Sequence, residues 1–426
     1  MASIFLSFVG SQDPTSVNTN EEGSIVSLTR ELKKQQYSIR RFLLLYTEDL
    51  TDKAEETKFW LESELKISPD IIEILPVSPE FTQDPVNVLL ATQEAHKALN
   101  KAKAYMSDQD RLEFNGSSGT PVMKTAWSIL QAAGYAPHSS VWQVRNPKQM
   151  QDGQARVFQT NLDTVKNEFD FKVVKQQIAD YNYSGALVTL ADSNLSTGLI
   201  VALLQYGKYR LAFDFDKAYN ALRQFANDVD SQFLSEIGNL RQKNPWALLK
   251  ELYFKILINQ KNQNFAEFLV DVFRFQEALL KYLVEAKLNF EIPETYGETG
   301  MWWNKLKTFD NGSAYRAVEN YRFPNGGGKI ANLQGFPNRP VMLAILENYQ
   351  EFAQLLTLVY DLNKYCEDRN RIVHRLEGIS ELPEADKIVK SIKEILRQKN
   401  SFSAKNSFDS LNEVILSRLE QCIRLG

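Results

Sequence analysis

Ile4-Phe5-Leu6-Ser7-Phe8-Val9-Gly10-Ser11-Gln12-Asp13-Pro14 decides how the N-terminal part of the chain is read. Six residues, apolar except for one serine, end abruptly in a Gly, an Asp and a Pro. A continuous apolar run does not alternate, so it fits a strand buried on both faces of a sheet. Similar runs follow at Phe42-Leu43-Leu44-Leu45-Tyr46, at Ile71 to Leu75 before Pro76, at Arg111 to Phe114 and at Val141 to Val144. Between them lie helical patterns over about 52–66, about 85–104 and Pro121 to about Ala133, with Gly134 as a stop. Strands alternating with helices predict an α/β domain, a Rossmann-like parallel sheet covered on both faces.

From about residue 156 a 3.6-residue period takes over and strand signals nearly vanish. Helical patterns span 164–181, 184–206, 214–240, 245–260, 263–289, 340–376 and 384–398, with breaks at Asn244-Pro245, Ile292-Pro293 and Phe336-Pro337. The second part is therefore all-α. Residues 290–339 read as a long insertion loop. Its Trp302, Trp303 and Phe323 are expected to pack rather than to line a cleft, as most aromatics do, and Gly326 to Gly328 punctuate it.

The bulk properties bound the function. With 426 residues the chain fits two or three domains. A net charge of -4 argues against a protein that coats duplex nucleic acid, though not against an RNA enzyme with a local basic cleft. Two cysteines, Cys366 and Cys422, without CxxC spacing, offer no zinc site and read as a reducing, cytoplasmic setting. The N-terminus lacks a signal-peptide pattern, and Leu199 to Leu204 is far too short to span a membrane.

Two loops share one chemistry. Gly10-Ser11-Gln12-Asp13-Pro14 follows the first strand; Asp13 can cap the next helix, with Pro14 in its first position. Asn115-Gly116-Ser117-Ser118-Gly119-Thr120-Pro121 follows a later strand; Thr120 can cap, with Pro121 first. Both loops would lie at the carboxyl ends of parallel strands, where open sheets bind ligands. Small residues let backbone N–H groups approach an anion at a helix N-terminus, and Lys124 can add a point charge. Neither loop is a Walker loop or a GxGxxG fingerprint. Together they point to a nucleotide-like ligand held by backbone and hydroxyl groups, although each alone also reads as a tight turn.

A second constellation lies in the helices: Glu367-Asp368-Arg369-Asn370-Arg371-Ile372-Val373-His374-Arg375. Of the three histidines, His96, His138 and His374, only the last has an Arg five positions before it. Asn370 and His374 are four apart and share a helix face, with Arg369 on its flank. RNA carries its own nucleophile, the 2′-hydroxyl. A histidine moves the protons and a guanidinium holds the charge that develops on phosphorus, with no metal required. One such pair per chain is sparse, and a two-fold dimer would supply two. A solvated basic helix end remains the bland alternative.

At this point the chain resembles the CARF–HEPN ribonucleases that accompany type III CRISPR systems. Ser7 to Pro14 is similar to the first CARF motif, and Asn115 to Lys124 to the second. Arg369-Asn370-Arg371-Ile372-Val373-His374 matches the HEPN signature R-N-x-x-x-H, and Tyr181 to Leu187 resembles the first helices after the sensor domain. The resemblance implies a CARF sensor over 1–155, a helical connector over 156–240 and a HEPN ribonuclease domain over 241–426. It implies a cyclic oligoadenylate activator, a ring of four or six, on the CARF two-fold axis. That ring would touch Gly10, Ser11, Gln12, Asp13, Asn115, Ser117, Ser118, Gly119, Thr120 and Lys124. It implies that Arg369 and His374 are catalytic, with Asn370 positioning, and that single-stranded RNA is cut to a 2′,3′-cyclic phosphate. No metal or cofactor is expected. The polar helix around 88–108 has no counterpart in the motifs. A non-catalytic sensor acting through protein contacts stays as the alternative. A dinucleotide enzyme, with Glu48 and Asp49 near its ribose position, is disfavoured by the missing fingerprint.

Overall fold

A computed structural model describes residues 2–107, 109–160, 162–191, 193–322, 333–363, 365, 378–398 and 405–425. The backbone divides into two compact units. One is Met1–Val173 with Thr189–Ser196 and Gln421–Gly426; the other is Val174–Val188 with Thr197–Glu420.

The first unit is built on six strands: β1 (Ser3–Phe8), β2 (Ile39–Tyr46), β3 (Ile72–Pro76), β4 (Arg111–Asn115), β5 (Ser139–Val144) and β6 (Val157–Gln159). Their order is β3-β2-β1-β4-β5-β6, and every pairing is parallel except β5 with β6. The expected parallel sheet is therefore a mixed one. Its antiparallel edge, β6, lies past the expected boundary at 155; three residues carry too little periodicity to be read as a strand. Helices α1 (Ser24–Lys34) and α2 (Thr51–Ser63) cover one face. On the other side lie the short α3 (Pro79–Gln83) and the longer α4 (Val88–Lys103) and α5 (Pro121–Ala132).

Side chains along a strand alternate between faces, and β1 shows it. Ile4, Leu6 and Phe8 join the core beneath α4 and α5 with Leu43, Phe114 and Trp127. Phe5 and Val9 join the opposite core with Ile25, Phe42, Leu44 and Leu61. Phe114 stacks on Trp127, ring centroids 5.0 Å apart, with Phe8 5.3 Å from the same indole. Ser7 is fully buried on the α1 side. The one polar residue in the first apolar run is thus a buried hydrogen-bonding group aimed at α1.

The remaining helices are α6 (Asp163–Ala179), α7 (Tyr183–Leu190), α8 (Gly198–Leu211), α9 (Phe215–Leu222), α10 (Ser231–Arg241), α11 (Pro245–Lys261) and α12 (Phe265–Leu288). They continue with α13 (Thr299–Thr308), α14 (Ser313–Asn320), α15 (Arg339–Glu347), α16 (Ala353–Asn363), α17 (Ala385–Arg397) and α18 (Ser407–Leu425). Three long helices expected from the sequence are broken. The 184–206 pattern stops at Leu190 and restarts where Thr197 caps α8, its hydroxyl accepting from Ile200 N–H at 3.3 Å. The 214–240 pattern restarts where Asp230 caps α10. The described part of 340–376 breaks between α15 and α16. Short polar side chains compete for the backbone at the first two breaks, which a hydrophobic period does not register. The 290–339 segment is not a plain loop, since it contains α13 and α14. There Trp302 and Trp303 are buried, as expected, and Trp303 Nε1 donates to Gly335 O at 2.8 Å. Phe323 and Gly326 to Gly328 lie outside the described residues. No helix among the described residues is long and apolar enough to cross a membrane.

Inside the helical unit sits a polar knot. Arg210 of α8 is buried and donates to Glu251 of α11 from Nε at 2.6 Å and from Nη2 at 2.7 Å. It pairs with Glu236 of α10 at 3.0 Å, donates to Tyr206 OH at 2.8 Å and lies 5.0 Å from the Phe408 ring centroid of α18. One guanidinium therefore ties four helices together. Its two carboxylates hold it charged, and burial pushes the Tyr206 phenol up to about 12.

Candidate functional site

The strand order reverses between β1 and β4, so the loops that follow these two strands flank the topological switch point. Every sensor residue expected from the sequence falls on those two loops or on the first turn beyond them.

Asp13 organises the first loop. Its carboxylate is buried and accepts from Gly10 N–H at 3.1 Å, from Ile25 N–H at 3.2 Å and from the Ser118 hydroxyl. Burial raises its pKa above the ordinary carboxylate value, against the pull of those donors. No cation pairs with it among the described residues. The expected cap is half right: Asp13 does serve the first turn of the next helix, but Pro14 does not start that helix. The chain first makes a small detour, with Thr15 bridged to Glu22 and Gly23 N–H bonded to Pro14 O at 2.7 Å. Helix α1 begins only at Ser24. At Gly23 a Cβ would lie 2.5 Å from Asp13 Oδ1, so only glycine lets the chain return so close to the carboxylate.

Asn115 organises the second loop in the reverse sense. It is fully buried; its Nδ2 donates to Ser7 Oγ at 3.0 Å and Ser24 Oγ at 3.2 Å, while its Oδ1 accepts from Ser117 N–H at 3.0 Å. Loop one thus holds loop two through Asp13 and Ser118. Loop two holds β1 and α1 through Asn115. A Cβ on Gly10 would sit 2.8 Å from Gly119 N, so the loops touch backbone to backbone. Asp13, Asn115 and the Ser118 hydroxyl are therefore spent inside the protein, which corrects their reading as ligand contacts. Ser117 is also used: its hydroxyl accepts from Val144 N–H at 2.8 Å. Thr120 caps α5 as expected, accepting from Met123 N–H at 3.4 Å, and donates to Pro85 O at 2.8 Å. Gln12 Oε1 accepts from the Ser16 hydroxyl at 2.8 Å.

What remains for a ligand is backbone. Asp13 N–H closes a turn on Gly10 O at 3.1 Å, which leaves the amides of Ser11 and Gln12 at the turn's centre. These two amides and those of Ser118 and Gly119 find no acceptor among the described residues. Lys124, half-buried one turn into α5, has no ion-pair partner among them either. Four amides, a helix N-terminus and one ammonium group form a cradle for an anion with diffuse charge. Sequence reasoning missed Ser7, Ser24 and the turn at Pro85. Ser7 was visible as a polar residue in an apolar run; Ser24 and Pro85 reach the site only through long-range packing.

The other expected site residues, Arg369, Asn370 and His374, lie outside the described residues. Residues 241–416, which contain them, match the family described as Cas_Csm6 HEPN domain. The chain belongs to the CARF–HEPN proteins of the Csm6 type. The Csm6-family HEPN domain makes it an endoribonuclease. The match starts at the residue where the third expected domain begins, within the turn that precedes α11. Among solved structures, the Enterococcus italicus Csm6 bound to cyclic hexa-2′-fluoro-hexa-dAMP is similar over 99% of this chain and 100% of that one, with a TM-score of 0.65. At 16% identity that likeness speaks for the Csm6 fold. None of the curated proteins matches the chain.

Proposed function

We propose that this chain is a ring-activated, metal-independent RNA endonuclease: cyclic oligoadenylate binds the amide cradle and licenses cutting by Arg369 and His374. The observation that carries the reading is the Csm6 HEPN match over 241–416, which spans the R-N-x-x-x-H signature. The cradle supports the activator. It offers amides and one lysine instead of a cluster of cations, which suits phosphodiesters carrying one charge each. The similar Csm6 holds a six-membered ring analogue, so we assign a ring of six rather than four.

A ring with even symmetry fits two cradles related by a two-fold axis, so the active species is a homodimer. The same dimer supplies two Arg–His pairs to one RNA strand. His374 takes the proton from the 2′-hydroxyl as that oxygen attacks phosphorus. The 5′-oxygen leaves as it is protonated, and the product ends in a 2′,3′-cyclic phosphate. Arg369 stabilises the charge on the phosphorane-like transition state, and Asn370 positions the phosphate. Binding of the ring favours the cutting arrangement by coupling two distinct sites.

The test is cleavage of a fluorescent single-stranded RNA in EDTA with cyclic tetra-adenylate, cyclic hexa-adenylate or neither, for wild type and His374→Ala. The expected result is cutting that needs the six-membered ring and disappears in the variant. A protein that binds the ring yet cuts nothing would be a non-catalytic sensor instead.

A further inference from the structure

Exposed apolar side chains in the first unit are unevenly placed. Among its described residues, all the exposed large ones except Val17 and Phe59 lie along α4, α5, α6 and the turn before α4. Val86, Val88 and Leu89 are 65%, 48% and 64% exposed within four residues. The turn that carries them is fixed. Asn87 Oδ1 accepts from Leu89 and Leu90 N–H at 3.1 and 3.3 Å, Asn87 N–H donates to Asp84 O at 3.1 Å, and Thr120 holds Pro85 O. On α5, Pro121, Thr125 and Ile129 are the outward positions, and Lys124 is the one charged residue in the helix. The far half of α5 joins α6 in an open, mainly apolar groove of ≈ 590 Å³ lined by Ile129, Ala132, Val165 and Phe169. The opposite flank is different: α2 carries Asp52, Lys53, Glu55, Glu56, Lys58 and Glu62 in thirteen residues.

From these observations we infer that the α4–α5–α6 flank is the surface on which a second copy of this chain docks, joining two amide cradles into one ring site. This rests on the ring-activated reading above. Three features select a second copy as the occupant. First, a two-fold interface sets a patch against itself, so like charges would face like charges; a patch almost free of charge is self-compatible. Second, the flank is continuous with the cradle, because Thr120 both ends the second loop and fastens the Pro85–Leu89 turn. A copy packed here places its own Ser118 and Gly119 amides across the axis. Third, a fixed turn with apolar side chains in water has an unmet burial gain that a preformed partner surface supplies at little ordering cost.

The test uses the full chain with Cys366→Ser and Cys422→Ser as background. Thr125→Cys, or Phe59→Cys on the charged flank, is treated with a short bis-maleimide. A covalent dimer from Thr125→Cys alone is the expected result; no dimer, or as much from Phe59→Cys, overturns the inference. In parallel, the Val88→Glu/Ile129→Glu double variant is compared with wild type by sedimentation and ring titration, with thermal melting as the folding control. The expected outcome is unchanged melting with at least about a tenfold rise in both dissociation constants. Unchanged dimerisation overturns it, as does a ring bound equally well by monomers. A wild type that cross-links at Thr125→Cys but binds no ring would leave this interface standing and sink the ring reading.

Discussion

The two polar knots of this protein, Asp13–Asn115 under the sensor loops and Arg210–Glu251–Glu236 among the helices, solve the same problem in opposite ways. The helical knot buries ions against ions. Arg210 meets two carboxylates and a phenol, and nothing of it is left to face a ligand. The sensor knot buries one carboxylate among neutral donors, N–H and O–H groups only. A cation there would pin the loops equally well but would add fixed positive charge to the cradle. Neutral donors lock the two loops while leaving the amides of Ser11, Gln12, Ser118 and Gly119 as the recognition surface. An ionic knot serves assembly alone; a neutral one serves assembly beside a binding site.

The comparison can be broken by mutation. Arg210→Ala should be the most damaging change, at about 3–5 kcal/mol, because it strands two buried carboxylates. Replacing Arg210, Glu251 and Glu236 together by apolar residues of similar volume should cost far less. Urea unfolding of the two variants measures both, and equal costs would mean that the ion pairs are not the source of the damage. Asp13→Ala comes next, at about 2–3 kcal/mol, since two amides and a hydroxyl lose their acceptor. Its loss of ring affinity should exceed what unfolding alone explains, as both loops come loose; Asp13→Asn, which keeps the shape and one acceptor oxygen, should restore part of it.

Titration separates the knots next. Burial raises the folded pKa of Asp13 and of Glu113, which accepts from Trp142 Nε1 at 2.7 Å. For an acid shifted upward, the stabilising contribution is full below the unfolded pKa, about 4, and is lost as pH rises through the folded value. Protection of β1 and β4 amides, measured by hydrogen exchange, should therefore fall as pH rises from about 4, and Asp13→Asn should flatten the trend. In the helical knot Glu251 shifts up and Glu236 shifts down, so the two partly cancel and α8 and α11 should show a weaker trend. A trend of the same size in both would erase the distinction. The smallest stability effect belongs to Lys124→Ala, within about 0.5 kcal/mol. Its ring affinity should nonetheless fall about tenfold at low salt and less at high salt, because it removes the cradle's one point charge.

The sequence by itself determined the alternation of strands and helices, the caps at Thr120 and Pro121, the two loops and the R-N-x-x-x-H segment. These are local signals: a run, a cap, a spacing. The aromatic pair Trp302 and Trp303 was also legible as core. The breaks at 191–197 and 223–230 were not, because short polar side chains stop a helix without disturbing its apolar period. Nor was β6, whose three residues become a strand only by pairing with β5. The largest shift concerned the sensor residues. The sequence placed Asp13, Asn115 and Ser118 at the site, and the tertiary structure moved them from touching the ligand to holding the loops. Whether a polar side chain faces solvent or the neighbouring loop depends on what folds against it. For Asp13 that is Ser118, more than a hundred residues away in the chain. Burial and long-range hydrogen bonding are properties of the packed molecule, and no local pattern encodes them.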